Sequence, residues 1–447
     1  MALPAEAKSR LPASSKRTGN ETAASPAWLK IVRSPACMIL VGLAVRLLCI
    51  VVTHSYRRID SAHIGDVNEM VNLGYSLASG HGFSSPYLVN TGPSAWTAPL
   101  YPWLISLAFR AFGIYSNLSG FAMLAFNSLF SALTSWTVYR TARRMFNGNI
   151  AVWSGWAWAF MPYAIYFSVT WVWETAFSTF LLSLLFMLTL EMEDDTRLRS
   201  WFGYGLLWGT VGLTNTSLLM WLPFAGCWIA YQLHRRGKRF LVPVMFSAAI
   251  FWITMTPWLI RNYLVFGEPL LVRGDFGNEF RAGNNPQAEG WVVGEYHVGS
   301  NHYLLRQFQQ VGEAQVNAEQ AHAAEAWIAQ NPERFLELSF HRFIYYWAGV
   351  PRTWTGERRG TLGQAKNLLF LAISLAGLAG LFLALKRRVH GVFLFATLIC
   401  FYPLIYYVTF AGARYRHPID PQLTVLAVFL FSSLAVRFQR TVSASCP

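Results

Sequence analysis

Asp66 and Glu69 lie three residues apart in the polar stretch Gly65-Asp66-Val67-Asn68-Glu69-Met70, directly after the first long apolar run. Val67, Met70, Val71, Leu73 and Leu77 are the apolar positions around them, a spacing that predicts a short helix. Positions i and i+3 share a helix face, so both carboxylates can point at one spot. Gly80, Gly82 and Ser84-Ser85-Pro86 then end the helix. A carboxylate whose pKa is adjusted by partial burial can serve as a general base. A third carboxylate, Glu174, stands in Trp173-Glu174-Thr175, and Arg261, Arg414 and Arg416 lie at apolar–polar boundaries, with His417 beside the last two. Guanidinium groups pair with phosphate in bidentate fashion, so a phosphate-bearing lipid would meet both kinds of group. The plainer reading makes Asp66 and Glu174 helix-start carboxylates, Glu69 a solvated helix face, and the arginines headgroup contacts.

The elements that must hold these groups are membrane helices. Of 447 residues, 54% are hydrophobic and 13% charged, and long apolar runs recur. Ten spans are expected: Ala36–Thr53, Asn117–Tyr139, Ile150–Phe167, Ala176–Leu190, Trp201–Gly212, Leu218–Leu233, Phe240–Ile260, Asn367–Leu385, Val392–Phe410 and Leu423–Val436. The chain therefore reads as an all-α polytopic membrane protein, with a disordered cytoplasmic tail over 1–35, a membrane domain over 36–436 and a second cytoplasmic tail over 437–447. Arg46 falls inside the first span, where a charge needs an internal partner. The five cysteines show no disulfide or metal-type spacing.

Charge orients the spans. If the N-terminus is cytoplasmic and the chain alternates, the six inner segments together carry +14, the net charge of the whole chain. Arg140/Arg143/Arg144, Arg235/Arg236/Lys238/Arg239 and Lys386/Arg387/Arg388 all fall on that side. The basic excess thus flanks the membrane, which argues against a nucleic-acid partner. The outer side holds two loops too long for simple connectors, 54–115 with the acidic pair and 261–366 between spans seven and eight. Within them, Leu104–Phe112 is expected to lie in the interface, Gly283-Asn284-Asn285-Pro286 to turn, and Ala318–Gln330 and Pro332–Trp347 to pair as helices. No internal repeat is present, and nearly every polar cluster lies outside. This one-sidedness favours surface chemistry over transport, which needs access from both sides.

The pattern Gly65-Asp66-x-x-Glu69-Met70 followed by Leu77-Ala78-Ser79-Gly80-x-Gly82-Phe83 resembles the first outer loop of protein-mannosyltransferase and aminoarabinose-transferase-like glycosyltransferases, integral-membrane enzymes of the C-type (GT-C) fold that use polyprenyl-phosphate sugars. Similar motifs follow in order at Pro99-Leu100-Tyr101-Pro102, Trp173-Glu174-Thr175, Gly212-Leu213-Thr214, Pro257-Trp258-x2-Arg261-Asn262-Tyr263, Gly283-Asn284-Asn285-Pro286 and Arg414-Tyr415-Arg416-x-Pro418-Ile419. The resemblance implies inverting transfer of a sugar from a polyprenyl phosphate to an unidentified protein, lipid or glycan acceptor. Asp66 would be the catalytic base. Glu69, Glu174, Arg261, Arg414, Arg416 and His417 would bind substrate. The site would face outward from a bacterial inner membrane. Two departures stand out: Met70 follows the glutamate, and Asn215 replaces an arginine frequent in relatives. A divalent metal remains compatible, although His63, His81, His297, His302 and His417 show no ligand spacing. Alternative readings are a lipid-linked-sugar flippase and a non-catalytic relative acting in envelope assembly.

Overall fold

A computed structural model describes residues 27–59, 68–87, 89–291, 294–352 and 359–445. Asp66 lies outside the described residues. Among them the fold is helical, with one isolated bridge between Ser84 and Pro93.

The first crossing helix is α1 (Pro35–Thr53). The first outer loop then contributes α2 (Glu69–Ala78) and α3 (Leu100–Phe112). Asn68, not the expected Asp66, caps α2 by accepting the Val71 N–H at 3.2 Å, and Gly80 and Gly82 end it at φ +83° and +75°, as the sequence leads one to expect. Helix α3 buries Tyr101, Ile105 and Phe109 and exposes Trp103, Leu107 and Phe112.

The bundle is organised around α4 (Asn117–Met145), which packs against α1, α5 (Gly148–Ala159), α6 (Pro162–Thr170) and α7 (Thr175–Glu191). Its buried face is small and polar, with Asn127, Ser128, Ser131, Thr134 and Thr137. Small residues let membrane helices approach closely, and hydroxyls bond across the gap, as Thr137 does with Ser183 at 2.6 Å. A short helix, Ala27–Val32, precedes α1 within the segment expected to be a disordered tail; the remaining helices are α8 (Leu198–Gly212), α9 (Leu222–Arg235), α10 (Leu241–Phe266), α11 (Phe276–Gly283), α12 (His302–Val311), α13 (Glu313–Gln330), α14 (Pro332–Ala348), α15 (Thr361–Lys386), α16 (Val392–Phe401), α17 (Leu404–Val408), α18 (Ala413–Arg416) and α19 (Asp420–Ser445). Helix α10 lies against α8, and α15 against α19.

Six helices among the described residues are long and apolar enough to cross a membrane. The other four expected spans take a different form. Pro162 separates α5 from α6, Pro403 separates α16 from α17, a 3-10 turn at Thr216–Trp221 precedes α9, and α8 is short. The count of ten therefore depends on counting broken and short rods as crossings.

Buried arginines satisfy the carbonyls that such breaks release. Fully buried Arg46 donates to the Ala159 carbonyl at 2.8 Å, where α5 ends, and to Ser131 Oγ at 3.1 Å. This is the internal partner that a charge within the first span requires. Arg342, also fully buried, donates to the Val408 carbonyl at 2.8 Å, the Tyr407 carbonyl at 3.2 Å, the Gly283 carbonyl at 2.5 Å and Asn284 Oδ1 at 3.0 Å. It thereby holds the ends of α11 and α17 together. At the opposite end of the bundle, buried Glu193 accepts from Trp228 Nε1 at 3.1 Å and Arg236 at 3.2 Å and meets His390 Nε2 at 2.8 Å. The one net-negative connector on the basic side is thus neutralised by its neighbours.

Candidate active site

One cavity, of about 410 Å³, gathers Glu69, Glu174 and Arg414. Its lining comes from α2, the segments before α3 and α7, the α8–α9 connector, α11, the strand-free stretch around His297, the start of α15 and residues 402–418. All of these lie at the end that the charge pattern of the sequence places outside.

Glu69 opens α2 and is 6% exposed. Its Oε1 stands 3.4 Å from His297 Nε2. Burial pushes the Glu69 carboxyl up to about 7, against the opposing pull of Arg414 and Arg273. Burial also holds the His297 ring down to about 4. Near neutral pH the histidine is therefore uncharged, and the contact is closer to a hydrogen bond than to an ion pair. Among the described residues no group of three His, Cys, Asp or Glu side chains could hold a metal ion. Glu69 and His297 alone do not make a metal site.

Glu174 immediately precedes α7 and is 8% exposed. Its loop is fixed from α4, because Asn127 Nδ2 donates to the Trp171 and Trp173 carbonyls at 3.1 and 3.2 Å while Tyr101 donates to Asn127 Oδ1 at 3.0 Å. Burial raises the Glu174 carboxyl to about 7, with Arg414 and Arg273 pulling the other way. Asn215 Nδ2 reaches its Oε1 at 3.5 Å. The departure that puts Asn215 in place of an arginine thus leaves a neutral donor beside this carboxyl.

Arg414 lines the same cavity. It lies 4.9 Å from the centre of the Trp173 ring and donates to the Tyr415 hydroxyl at 2.7 Å. These contacts orient the guanidinium without neutralising it. The second cation here, Arg273, is tied to Asp275 and to Glu279 Oε1 at 3.0 Å. The carboxylates around it outweigh its burial and keep it charged.

The other sequence-selected residues stand elsewhere. Arg261 points away from the cavity lining and donates to the Ser94 carbonyl at 2.7 Å, the Phe83 carbonyl at 2.9 Å and Asn262 Oδ1 at 3.0 Å, stacking 4.8 Å from the Trp258 ring centre. It fastens the first outer loop to the end of α10. Arg416 and His417 are fully buried and share Asp420, at 2.8 Å from Arg416 Nε and 3.1 Å from His417 Nδ1. Arg416 also donates to the Phe370 carbonyl at 3.1 Å, tying α18 and α19 to α15. Structure thus brings Glu69, Glu174 and Arg414 together, and turns Arg261, Arg416 and His417 to holding helices.

Sequence reasoning passed over Arg273, Asp275, Asn278 and Glu279 and weighed His297 only as a metal ligand, though all five line the cavity wall. The available signal was Arg273-x-Asp275-x3-Glu279, a dense charge cluster in a chain poor in charge.

Residues 96–260 match a family model described as dolichyl-phosphate-mannose-protein mannosyltransferase. No curated protein matches the sequence. The fold is similar to that of the apo oligosaccharyltransferase of Archaeoglobus fulgidus, with a TM-score of 0.52 and 13% identity over 93% of this chain and 51% of that one. It is also similar to the same organism's AglB in complex with an inhibitory peptide and a dolichol-phosphate (TM-score 0.48, 15% identity, 92% and 52% covered). ArnT from Cupriavidus metallidurans bound to undecaprenyl phosphate gives a TM-score of 0.40 at 12% identity, over 92% of this chain and 79% of that one. The chain spans about half the length of the archaeal enzymes. Among the described residues the chain is helical, with six helices long and apolar enough to cross a membrane; its fold is similar to that of the archaeal oligosaccharyltransferase, and residues 96–260 are similar to the mannosyltransferase family.

Proposed function

We propose that this protein, a C-type-fold membrane protein resembling lipid-phosphate-sugar transferases, moves a sugar from a polyprenyl phosphate to an acceptor hydroxyl. The reaction takes place at the extracytoplasmic face of a bacterial inner membrane, with both termini in the cytoplasm. The observation that carries this reading is the convergence of Glu69, Glu174 and Arg414 on one buried cavity from sites far apart in the chain. Asp66, three residues before Glu69 in the sequence, takes the acceptor proton as its oxygen attacks the anomeric carbon. The new C–O bond forms on the face opposite the leaving group, which inverts the configuration. The bond from that carbon to the phosphate oxygen breaks, and the electron pair leaves with the phosphate. Its developing charge needs cationic stabilisation more than a proton, and Arg414 supplies it from the cavity wall. Mannose is the first sugar to try, since the matched family is described by dolichyl-phosphate-mannose.

The test uses the full chain reconstituted with a short-chain polyprenyl-phosphate mannoside. We expect Asp66→Asn to abolish release of the bare lipid phosphate while inserting into the membrane normally. Full turnover in that variant rejects Asp66 as the base. Movement of the lipid between leaflets without cleavage would instead make the protein a flippase.

A further inference from the structure

Two buried acceptor atoms on the cavity wall have no hydrogen-bond donor among the described residues: Glu174 Oε2 and Asn278 Oδ1. Their residues are 8% and 3% exposed. An acceptor withdrawn from water without a donor is costly, so a wall with two of them is built for a ligand that brings donors.

Neither acceptor can turn away, because a clamped asparagine orients each. Asn317 Oδ1, on α13, accepts the Gly277 N–H at 2.7 Å and the Asn278 N–H at 3.3 Å, which fixes it as an acceptor. The Asn278 amide nitrogen faces that oxygen at 3.4 Å. Flipping Asn278 would set two oxygens against each other, so Oδ1 is the atom left without a donor, in a residue of the cavity wall. Glu174 repeats the device. Asn215 Oδ1 accepts the Ser217 N–H at 3.1 Å, leaving its Nδ2 to face Glu174 Oε1 at 3.5 Å. Oε2 is left over.

The mount of Asn278 is rigid. Helix α11 sits so close to its neighbours that a Cβ on Gly277 would stand 2.0 Å from the Asn317 carbonyl oxygen, and one on Gly283 would stand 1.9 Å from that of Thr409. Arg342 holds its far end.

We infer that Glu174 Oε2 and Asn278 Oδ1 accept hydrogen bonds from two hydroxyls of the transferred sugar and so select which sugar the site takes. This rests on the proposed function and goes beyond it, by separating recognition of the sugar from recognition of the lipid phosphate. A ligand that lacks either hydroxyl leaves a buried acceptor unmet.

The test is binding to the purified full chain in nanodiscs. The probes are a bare short-chain polyprenyl phosphate and the same lipid carrying mannose, glucose or a deoxy form of either. The readout is the ratio of the two dissociation constants, which isolates the sugar. We expect Asn278→Leu to lower that ratio about tenfold for the preferred sugar while leaving affinity for the bare lipid unchanged, and Glu174→Gln, which also alters the charge beside Arg414, to lower the ratio about as far. Unchanged ratios in both variants overturn the inference, as does an unaltered protein that binds glycosylated and bare lipid equally. Failure of the unaltered protein to bind any of the lipids rejects the proposed function itself, and the sugar-reading pair with it.

Discussion

Glu69 Oε1 and His297 Nε2 meet at 3.4 Å although 228 positions separate them in the chain, one in the first outer loop and the other in the second. Burial acts on both in the direction that removes charge: the carboxyl rises to about 7 and the ring falls to about 4. Between those values the acid is protonated and the base neutral. We expect an inflection near pH 7 in the activity profile, reporting loss of carboxyl protons as pH rises. Glu69→Gln weakens it, leaving the share that Glu174 contributes from the same cavity, and His297→Gln leaves its position unchanged. A His297 ring resonance that titrates between about pH 6 and 8 would contradict the assignment.

Glu313 closes the first outer loop onto the second. Its Oε2 accepts from Ser94 Oγ at 2.6 Å and its Oε1 from the Ala95 N–H at 2.7 Å. Burial raises this carboxyl from 4.5 to about 7, despite the two hydrogen bonds. The folded state therefore binds the proton more tightly than the unfolded chain. The stability this contributes is present below about pH 4.5 and is lost as pH climbs through about 7, by at most roughly 1.4 kcal/mol per pH unit. Glu313→Gln should melt close to the unaltered protein at pH 5 and above it at pH 8.5. Parallel melting curves for the two proteins across that range would exclude Glu313 as the source.

Arg342 has four acceptors and no carboxylate among its hydrogen bonds. Replacing it with Met leaves buried carbonyls at the ends of α11 and α17 unmet. Each costs about 1–3 kcal/mol, so low yield and a lowered melting temperature are expected. Lys, with fewer donors and no planar fork, should recover only part of the loss. A Met variant as stable as the parent would show that water reaches these carbonyls.

Arg414 and Arg261 make opposite forecasts. Arg414→Ala should lower turnover by about two orders of magnitude with little change in melting, as expected for a group that stabilises charge in the transition state. Arg261→Ala removes two carbonyl contacts and a stacking partner, and should lower stability by roughly 1–3 kcal/mol before it alters chemistry. Arg416→Ala should be worse for folding, because it strips buried Asp420 of its ion pair. Turnover measured per folded molecule separates the three.

Much of this molecule is set by local sequence. Apolar runs specify the crossing helices, and Gly80 with Gly82 ends α2, whereas the breaks at Pro162 and Pro403 fall inside the expected spans Ile150–Phe167 and Val392–Phe410 and emerge only in the structure, as does the Asn68 cap. Helix α14 begins at Pro332, as its first-turn chemistry dictates. The membrane's demand for apolar surface and paired backbone makes the crossing helices legible along a single chain. The site is legible only in part. Arg261, Arg414 and Arg416 all sit at apolar–polar boundaries, and sequence alone gives no means of telling them apart. A guanidinium on its long stem reaches whichever acceptors the packing presents: carbonyls for Arg261, Asp420 for Arg416, and the cavity for Arg414. Asn278 and His297 carried no periodic signal, because an irregular outer loop has no repeat to reveal which side chains turn inward. Their placement follows from where α11 is pinned between Asn317 and Arg342, a relationship that exists only once distant segments have packed.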